Sequence, residues 1–386
     1  MLTGADQLVA EGYSRLRGRR VGLLTNPTGV TADLVSLADQ LAAAPDVRLA
    51  ALFGPEHGLL AGAQAGDEVE SAVHPRLGIP VHSLYDDRKA PTPEQLAGLD
   101  LLVIDLQDVG ARFYTYSSTV SLTLEVCGAV GLPVLLLDRP NPLGGVVLEG
   151  PLLEVECRSF VGLHPIPIRH GLTMGELARL FNGEAGYGAE LEVLPLAGWR
   201  RDDPYDATGL PWVPPSPNLP TFATAVVYPG TCLLEGTTLS EGRGTTLPFE
   251  LLGAPWLDPD ALAAELNALA LPGVRWRPAA FTPWHGRVHV GVPCGGVQFH
   301  PTDRDAFRPV AAAVHLLATT RRLAPEGFGW RPPWAEGSRL PIDLLAGTPR
   351  LREALDAGTP PAAIIAGWEP ALARFAETRH PYLLYE

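Results

Sequence analysis

Residues 101–150 read LLVIDLQDVGARFYTYSSTVSLTLEVCGAVGLPVLLLDRPNPLGGVVLEG, and the fold is decided here. Residues 101–104 and 134–137 are short apolar runs with the length and branching of strands buried on both faces. Residues 118–130 between them have helical length and lie between turn-forming residues. Strand, helix, strand calls for a right-handed crossover. A dense polar cluster follows each strand: Asp105, Gln107, Asp108 and Arg112 after the first, Asp138, Arg139 and Asn141 after the second. Open parallel sheets bind ligands beyond the carboxyl ends of their strands, so these side chains are expected to share one pocket.

The pattern repeats upstream. Residues 20–24 (RVGLL) read as a first strand that runs into TNPTGV and Asn26. Residues 34–44 have helical length and an apolar face, and residues 47–53 form a second strand followed at once by GPEHG, with Glu56 and His57. A short edge strand is expected over 79–85 and a short helix over 93–99. This alternation predicts an α/β protein with a Rossmann-like, mostly parallel sheet. Neither GxGxxG nor GxxxxGK[ST] is present, and Pro27 removes a backbone donor after the first strand. No dinucleotide, nucleoside triphosphate or other cofactor is called for.

Downstream, residues 170–181 carry a capping box, Thr173 with Glu176 three positions on. Residues 199–221 include WVPPSPNLPT and Asn218, too proline-rich for a helix or a central strand, and read as a loop draped over the cleft. Residues 226–250 place Glu235, Glu241 and Arg243 among glycines, which let backbone amides approach a ligand closely. A second alternating region begins near Gly253, with a helix over 259–269, strands near 287–292 and 296–299, and a helix over 307–319. Helical segments near 348–357 and 371–378 close the chain. The expected division is a Rossmann-like catalytic domain over 1–250 and a smaller α/β auxiliary domain over 251–386 that completes the cleft.

Composition narrows the function. A net charge of −14 argues against nucleic acid, whose phosphates need Lys and Arg. No apolar run reaches the ~18 residues of a membrane span. The first residues lack the apolar core of a signal peptide, so a cytoplasmic location is expected, although a trimmed chain would read the same way. Cys127, Cys157, Cys232 and Cys294 form no CxxC pair and read as buried reduced thiols. Nothing in the sequence speaks to oligomeric state.

Taken together and in order, NPTGV, FGPEHG, DLQDVGARFYTY, DRPNPLGG, EGP, RHGLTMGELA, PSPNLPT, YPGTCLLEGTTLSEGRGT and PFELLGAP resemble the bacterial exo-β-N-acetylmuramidases of the NamZ type. The resemblance runs from about Val21 to the C-terminus. It implies a Rossmann-like first domain, a smaller auxiliary domain and a cleft between them. It further implies removal of β-1,4-linked N-acetylmuramic acid from the non-reducing end of peptidoglycan fragments, with a muropeptide or disaccharide as substrate. Many members are exported, which this sequence does not require.

Glycoside hydrolysis ordinarily uses two carboxyl groups and no metal. Glu56, after a buried strand, is the first candidate; its competing reading is a loop carboxylate that caps a helix or pairs with an arginine. Glu149 in LEGP is the second, against a turn carboxylate that organises backbone amides. Glu241 competes for the second role, against an ion pair with Arg243. Glu125 reads as a solvated helix residue. Asp105 or Asp108 could carry a raised pKa, but Asp105 is better read as holding Arg112 or Arg139. Tyr114 and Tyr116, two apart, would share a face in extended chain and either stack on a sugar or pack in the core. Arg112, Arg139 and Arg243 offer the planar fork that suits a lactyl carboxylate. Asn26, Asn141, Asn218, Gln107, His57 and Glu235 complete the candidate contacts, with turn chemistry the alternative for the asparagines.

Other classes leave weaker traces. The histidines form no HExxH, and His285 and His289 share a face only if their segment is a strand, with no third ligand nearby. There is no GxSxG elbow. A non-catalytic muropeptide or amino-sugar binding protein, or a His/metal-dependent hydrolase, remain the alternatives to the glycosidase.

Overall fold

The structure is a computed structural model describing residues 1–64, 70–85 and 88–386. Its centre is a seven-stranded sheet. In chain order the strands are β1 (Arg20–Thr25), β2 (Arg48–Gly54), β3 (Ala72–Val73), β4 (Pro80–Ser83), β5 (Leu101–Asp105) and β6 (Val134–Leu137). Two further strands, β7 (Glu149–Leu152) and β8 (Pro167–Arg169), form a separate antiparallel pair, and β9 (Leu191–Leu194) completes the central sheet. The sheet order is β3-β4-β2-β1-β5-β6-β9, parallel throughout except for β3. The strand expected at the edge over 79–85 is β4, and the two-residue β3 pairs outside it.

Period-two alternation explains the layers. Leu101 and Val103 of β5 point into one apolar cluster, together with Val21, Leu23, Leu135 and Leu137. That face is covered by α1 (Gly4–Ala10) and α2 (Leu37–Ala43), which contribute Leu8, Leu37 and Leu41. Leu102 and Ile104 point the opposite way, into the larger cluster with Leu24, Phe53 and Leu136. A short α3 (Pro93–Leu96) precedes β5, and α4 (Tyr116–Val130) and α5 (Met174–Ala185) cover this second face. Helix α2 starts later than its sequence pattern because Leu34 has φ 62°, outside the helical region, and Ser36 caps the helix by accepting from the Asp39 amide. Helix α5 keeps its capping box: Thr173 accepts from Glu176 N, and Glu176 accepts from Thr173 N.

The larger cluster continues without a break into the C-terminal half. There α6 (Phe222–Thr231), α7 (Pro259–Ala268) and α8 (Pro309–Leu323) pack with an antiparallel sheet of order β10-β12-β11. Its strands are β10 (Leu251–Ala254), β11 (Val274–Phe281) and β12 (Cys294–Pro301). Four short helices, α9 (Pro341–Ala346), α10 (Arg350–Asp356), α11 (Pro361–Ala366) and α12 (Glu369–Arg379), end the chain. One expectation fails here. Residues 287–292 form no strand, because Gly286, His289 and Gly291 take φ of 128°, 55° and 74°, turning the chain in a loop between β11 and β12. Helix α6 has no counterpart in the sequence reading; its last turn tolerates Pro229, and Gly230 lies so close to α8 that a Cβ there would meet Pro309 O at 2.0 Å.

At the carboxyl edge, Asp105 at the end of β5 forms a bidentate pair with Arg139, just after β6. Arg139 Nε and Nη2 donate to Asp105 Oδ1 at 2.5 Å and Oδ2 at 2.9 Å, and Nη2 also reaches Val30 O at 2.8 Å. Both side chains are buried. Removing one member of a buried pair strands the other, at a cost of about 3–5 kcal/mol. Urea unfolding of Arg139→Ala should therefore show a loss of that size. Arg322→Ala, which breaks the exposed pair with Glu265, should lose less than about 1 kcal/mol. Equal losses would remove the buried pair from its structural role.

Candidate active site

The loop after β2 presents Glu56. Gly54 has to be glycine, since a Cβ there would meet Leu59 N at 2.7 Å where the loop doubles back. His57 takes φ 71°, and its Nδ1 lies 2.8 Å from Ala63 O, which holds the doubled-back loop. His57 thus braces the loop that carries Glu56.

The segment after β5 supplies the next part. Thr115 Oγ1 donates to Glu56 Oε2 at 2.5 Å. Residue 115 has helical φ and ψ at the start of α4, so Tyr114 and Tyr116 are not in extended chain as anticipated. Their rings still meet edge-on, with centroids 4.7 Å apart. Tyr116 donates to Pro215 O at 2.5 Å and receives a bond from Asn26 Nδ2 at 2.9 Å. Asn218 donates to Gln64 at 3.1 Å. The proline-rich 199–221 segment is therefore tied to the loops after β1 and β2, and Asn26, Tyr116 and Asn218 serve that attachment.

Glu56, Tyr114 and Thr115 line a cavity of about 260 Å³. Tyr85, Phe113, Phe160, Tyr228 and Trp334 give it an aromatic wall, and Leu344 and Leu345 an aliphatic one. Among the described residues its charged groups besides Glu56 are Glu235, Arg243, Lys89 and Arg287. Lys89 Nζ sits 3.3 Å from the centre of the Tyr85 ring. Flat apolar rings interleaved with few polar groups suit a sugar, whose hydroxyls ring an apolar face.

Glu235, Arg243 and Glu241 form one unit beside this wall. Arg243 Nη2 donates to Glu235 at 2.7 Å, and its Nε lies 3.1 Å from Glu241 Oε1. Glu241 is the deeper carboxylate. Burial, and then the neighbouring Glu235, push its pKa up to about 7 against the pull of Arg243. Arg243 is held above its ordinary value by the two carboxylates.

The other candidates lie elsewhere. Asp105 and Arg139 pair with each other. Gln107 Nε2 donates to the carbonyls of Asp108 and Pro140, stitching the loops after β5 and β6 together. Asp108 accepts from Gly110 N at 2.7 Å and stands 3.3 Å from His170 Nε2. Asn141 donates to Leu172 O and accepts from Leu143 N. Arg112 donates to the carbonyls of Pro151, Ile166 and Leu345, and burial lowers its pKa to about 9. Glu149 begins β7, opposite Arg169, and accepts from Ala311 N in the first turn of α8 at 2.7 Å. Burial raises its pKa to about 6, and it is not among the residues lining the Glu56 cavity.

Thr115, Phe113, Tyr85, Lys89, Phe160, Tyr228, Arg287 and Trp334 line the cavity without having been singled out from sequence. Thr115 alone had a usable signal, flanked as it is by two aromatic candidates; the rest come from separate loops and from helix α6, which only the tertiary fold brings together. Among the described residues no three His, Cys, Asp or Glu side chains are grouped to hold a metal ion. No helix among them is long and apolar enough to cross a membrane.

Comparison with known proteins identifies the family. Two family descriptions match, "Exo-beta-N-acetylmuramidase NamZ, N-terminal" over residues 21–223 and "Exo-beta-N-acetylmuramidase NamZ, C-terminal" over 226–385. The Peptidoglycan beta-N-acetylmuramidase NamZ of Bacillus subtilis (strain 168) is 48% identical over 383 residues, covering 99% of this chain and 91% of that protein. Two crystal structures of DUF1343 family proteins from Bacteroides fragilis superpose over all of this chain and 99% of theirs. One has a TM-score of 0.90 at 35% identity, the other 0.78 at 30%. With both halves matched in order and almost every residue covered, the chain belongs to the NamZ family of exo-β-N-acetylmuramidases.

Proposed function

We propose that this protein is an exo-β-N-acetylmuramidase, a glycosidase that removes terminal β-1,4-linked N-acetylmuramic acid from the non-reducing end of peptidoglycan fragments. The observation that carries the reading is the 260 Å³ cavity in which Glu56 stands among aromatic rings and cations, within a chain of this family. A cavity of that size suits one terminal sugar, as exo action requires. Its substrate is a small carbohydrate, a muropeptide or a MurNAc-GlcNAc fragment released in cell-wall turnover. Four free, buried cysteines fit a cytoplasmic place for this work.

Cleavage needs a proton on the leaving oxygen and stabilisation of positive charge at the anomeric carbon. We assign the essential carboxyl to Glu56, oriented by the Thr115 hydroxyl. Glu235 is the second carboxylate of the cavity, fixed by Arg243, and takes the charge-stabilising role. Glu149 is assigned to anchoring the start of α8, on the strength of its bond to Ala311 N. Residues 251–386 act as the auxiliary domain of a catalytic 1–250, a division supported by the cavity residues Arg287, Trp334, Leu344 and Leu345.

The first test is nitrophenol release from paired β-glycosides of N-acetylmuramic acid and N-acetylglucosamine. The wild type should cleave the muramic substrate, and Glu56→Gln should lose about 10²- to 10⁴-fold in kcat. Glu149→Gln should stay within about tenfold. A Glu56→Gln enzyme of near-normal activity, or a wild type that cleaves neither sugar, would sink the assignment. In the latter case, a melting temperature that rises with added muramic acid would leave a binding protein.

A second test uses pH. The pKa of Glu241 rises from the usual 4.5 to about 7 on folding, so the folded chain binds more protons between those values. The stabilising contribution is full below 4.5 and is lost as pH climbs through 7. In urea unfolding, Glu241→Gln should gain on the wild type steadily from about pH 5 to pH 8. A difference that does not change with pH contradicts the titration.

A further inference from the structure

Muramic acid differs from glucosamine by a lactyl ether that ends in a carboxylate, so a selective enzyme must read that charge. The cations on the cavity wall differ in how free they are for the task. Arg243 has its Nε and Nη2 engaged by Glu241 and Glu235, and a substrate carboxylate there would be the third on one guanidinium. Lys89 lies over the Tyr85 ring. Arg287 is exposed, and its guanidinium carbon lies 5.9 Å from the centre of the Trp334 ring. No carboxylate among the described residues lies within ion-pair distance of it.

The loop that carries Arg287 is pinned to the segment that carries Arg243. Trp284 N donates to Gly244 O at 3.1 Å, and His289 Nε2 lies 2.7 Å from Thr238 O. Gly244, at φ 77°, packs so tightly that a Cβ would meet His285 N at 2.1 Å. Arg287 is thus held at the cavity from both sides. Its charge also reaches Arg331, whose pKa is lowered by burial and then by Arg287, while Glu241 and Glu235 pull it the other way. An exposed guanidinium with no carboxylate partner among the described residues suits an anion.

We propose that Arg287, backed by the Trp334 ring, binds the lactyl carboxylate of muramic acid and sets the preference for it over glucosamine. This rests on the muramidase reading above. The guanidinium supplies the bidentate fork, and Trp334 restricts its rotamers by stacking.

The test compares nitrophenyl β-N-acetylmuramic acid with its lactyl methyl ester, which keeps the shape and loses the charge. Wild type, Arg287→Gln and Arg287→Lys are assayed alongside their melting temperatures. The wild type should prefer the acid, and Arg287→Gln should lose about 10- to 100-fold in kcat/KM on the acid, chiefly through KM. On the ester it should stay within about twofold, so that the preference for the acid disappears. Arg287→Lys, which keeps the charge without the fork, should recover part of the loss. Equal losses on acid and ester, or no loss on either, would overturn the proposal while wild-type turnover still upheld the muramidase. A wild type silent on both substrates would instead remove the muramidase reading, and Arg287 with it.

Discussion

The ion pair between Asp105 and Arg139 governs what the sheet can do. Two opposite charges buried at the ends of β5 and β6 are tolerable only when nearly every polar atom is engaged. Both Asp105 oxygens are taken, and Arg139 reaches across to Val30 O. Asp138 is consumed in the same way: it accepts from Gly175 N at the start of α5, from Thr173 and from Tyr385. Gln107 bridges the two loops. The part of the carboxyl edge beyond β5 and β6 is therefore filled by its own polar residues, and only about 20 Å³ remains between Thr28, Gln107 and Arg139. The Glu56 cavity opens further along the same edge, beside the loop after β2 and the turn that leads into α4.

What closes that space comes from the second half of the chain. Phe222 and Val226, four apart on α6, line a separate cavity of about 430 Å³, while Tyr228 and Cys232 line the Glu56 cavity. Opposite faces of one helix thus divide the two spaces. Arg112 then fixes the far wall. Its guanidinium holds carbonyls from β7, from the segment before β8, and from Leu345 at the end of α9. Leu344 and Leu345 are cavity residues, so Arg112, read from sequence as a substrate contact, bonds to backbone carbonyls and helps to place residues that line the cavity.

This also explains what was legible in the sequence. Buried parallel strands carry their own signal in unbroken apolar runs, and Val134–Leu137 came out with its boundaries intact. The capping box of α5 was equally local, Thr173 and Glu176 being three residues apart. Partnership was less visible. Asp105, Gln107, Asp108, Arg139 and Asn141 look reactive in sequence because polar residues after strands often are, yet their hydrogen bonds run to one another and to backbone groups. The pairing of Asp105 with an arginine was anticipated, and only the fold decides between Arg112 and Arg139. Arg287 and Trp334 could not be read at all: they are 47 residues apart, and Arg287 sits where left-handed positions at Gly286 and His289 defeat the strand pattern.

The carboxylate–arginine–carboxylate unit gives the cavity a charge that depends on pH. Arg243 can cancel one carboxylate fully but not two. The proton that Glu241 retains up to about pH 7 therefore decides whether the unit is neutral or carries a net negative charge. A negative unit beside an anionic substrate would oppose binding, and a neutral one would not. Full burial of Glu241 is what keeps that proton in place near neutrality, because the cost of desolvating its charged form outweighs the attraction of Arg243. The cavity can thus hold a second carboxylate, Glu235, and still admit an acid sugar. The carboxylate behind it does not line the wall, yet its protonation sets the charge of the unit beside the cavity.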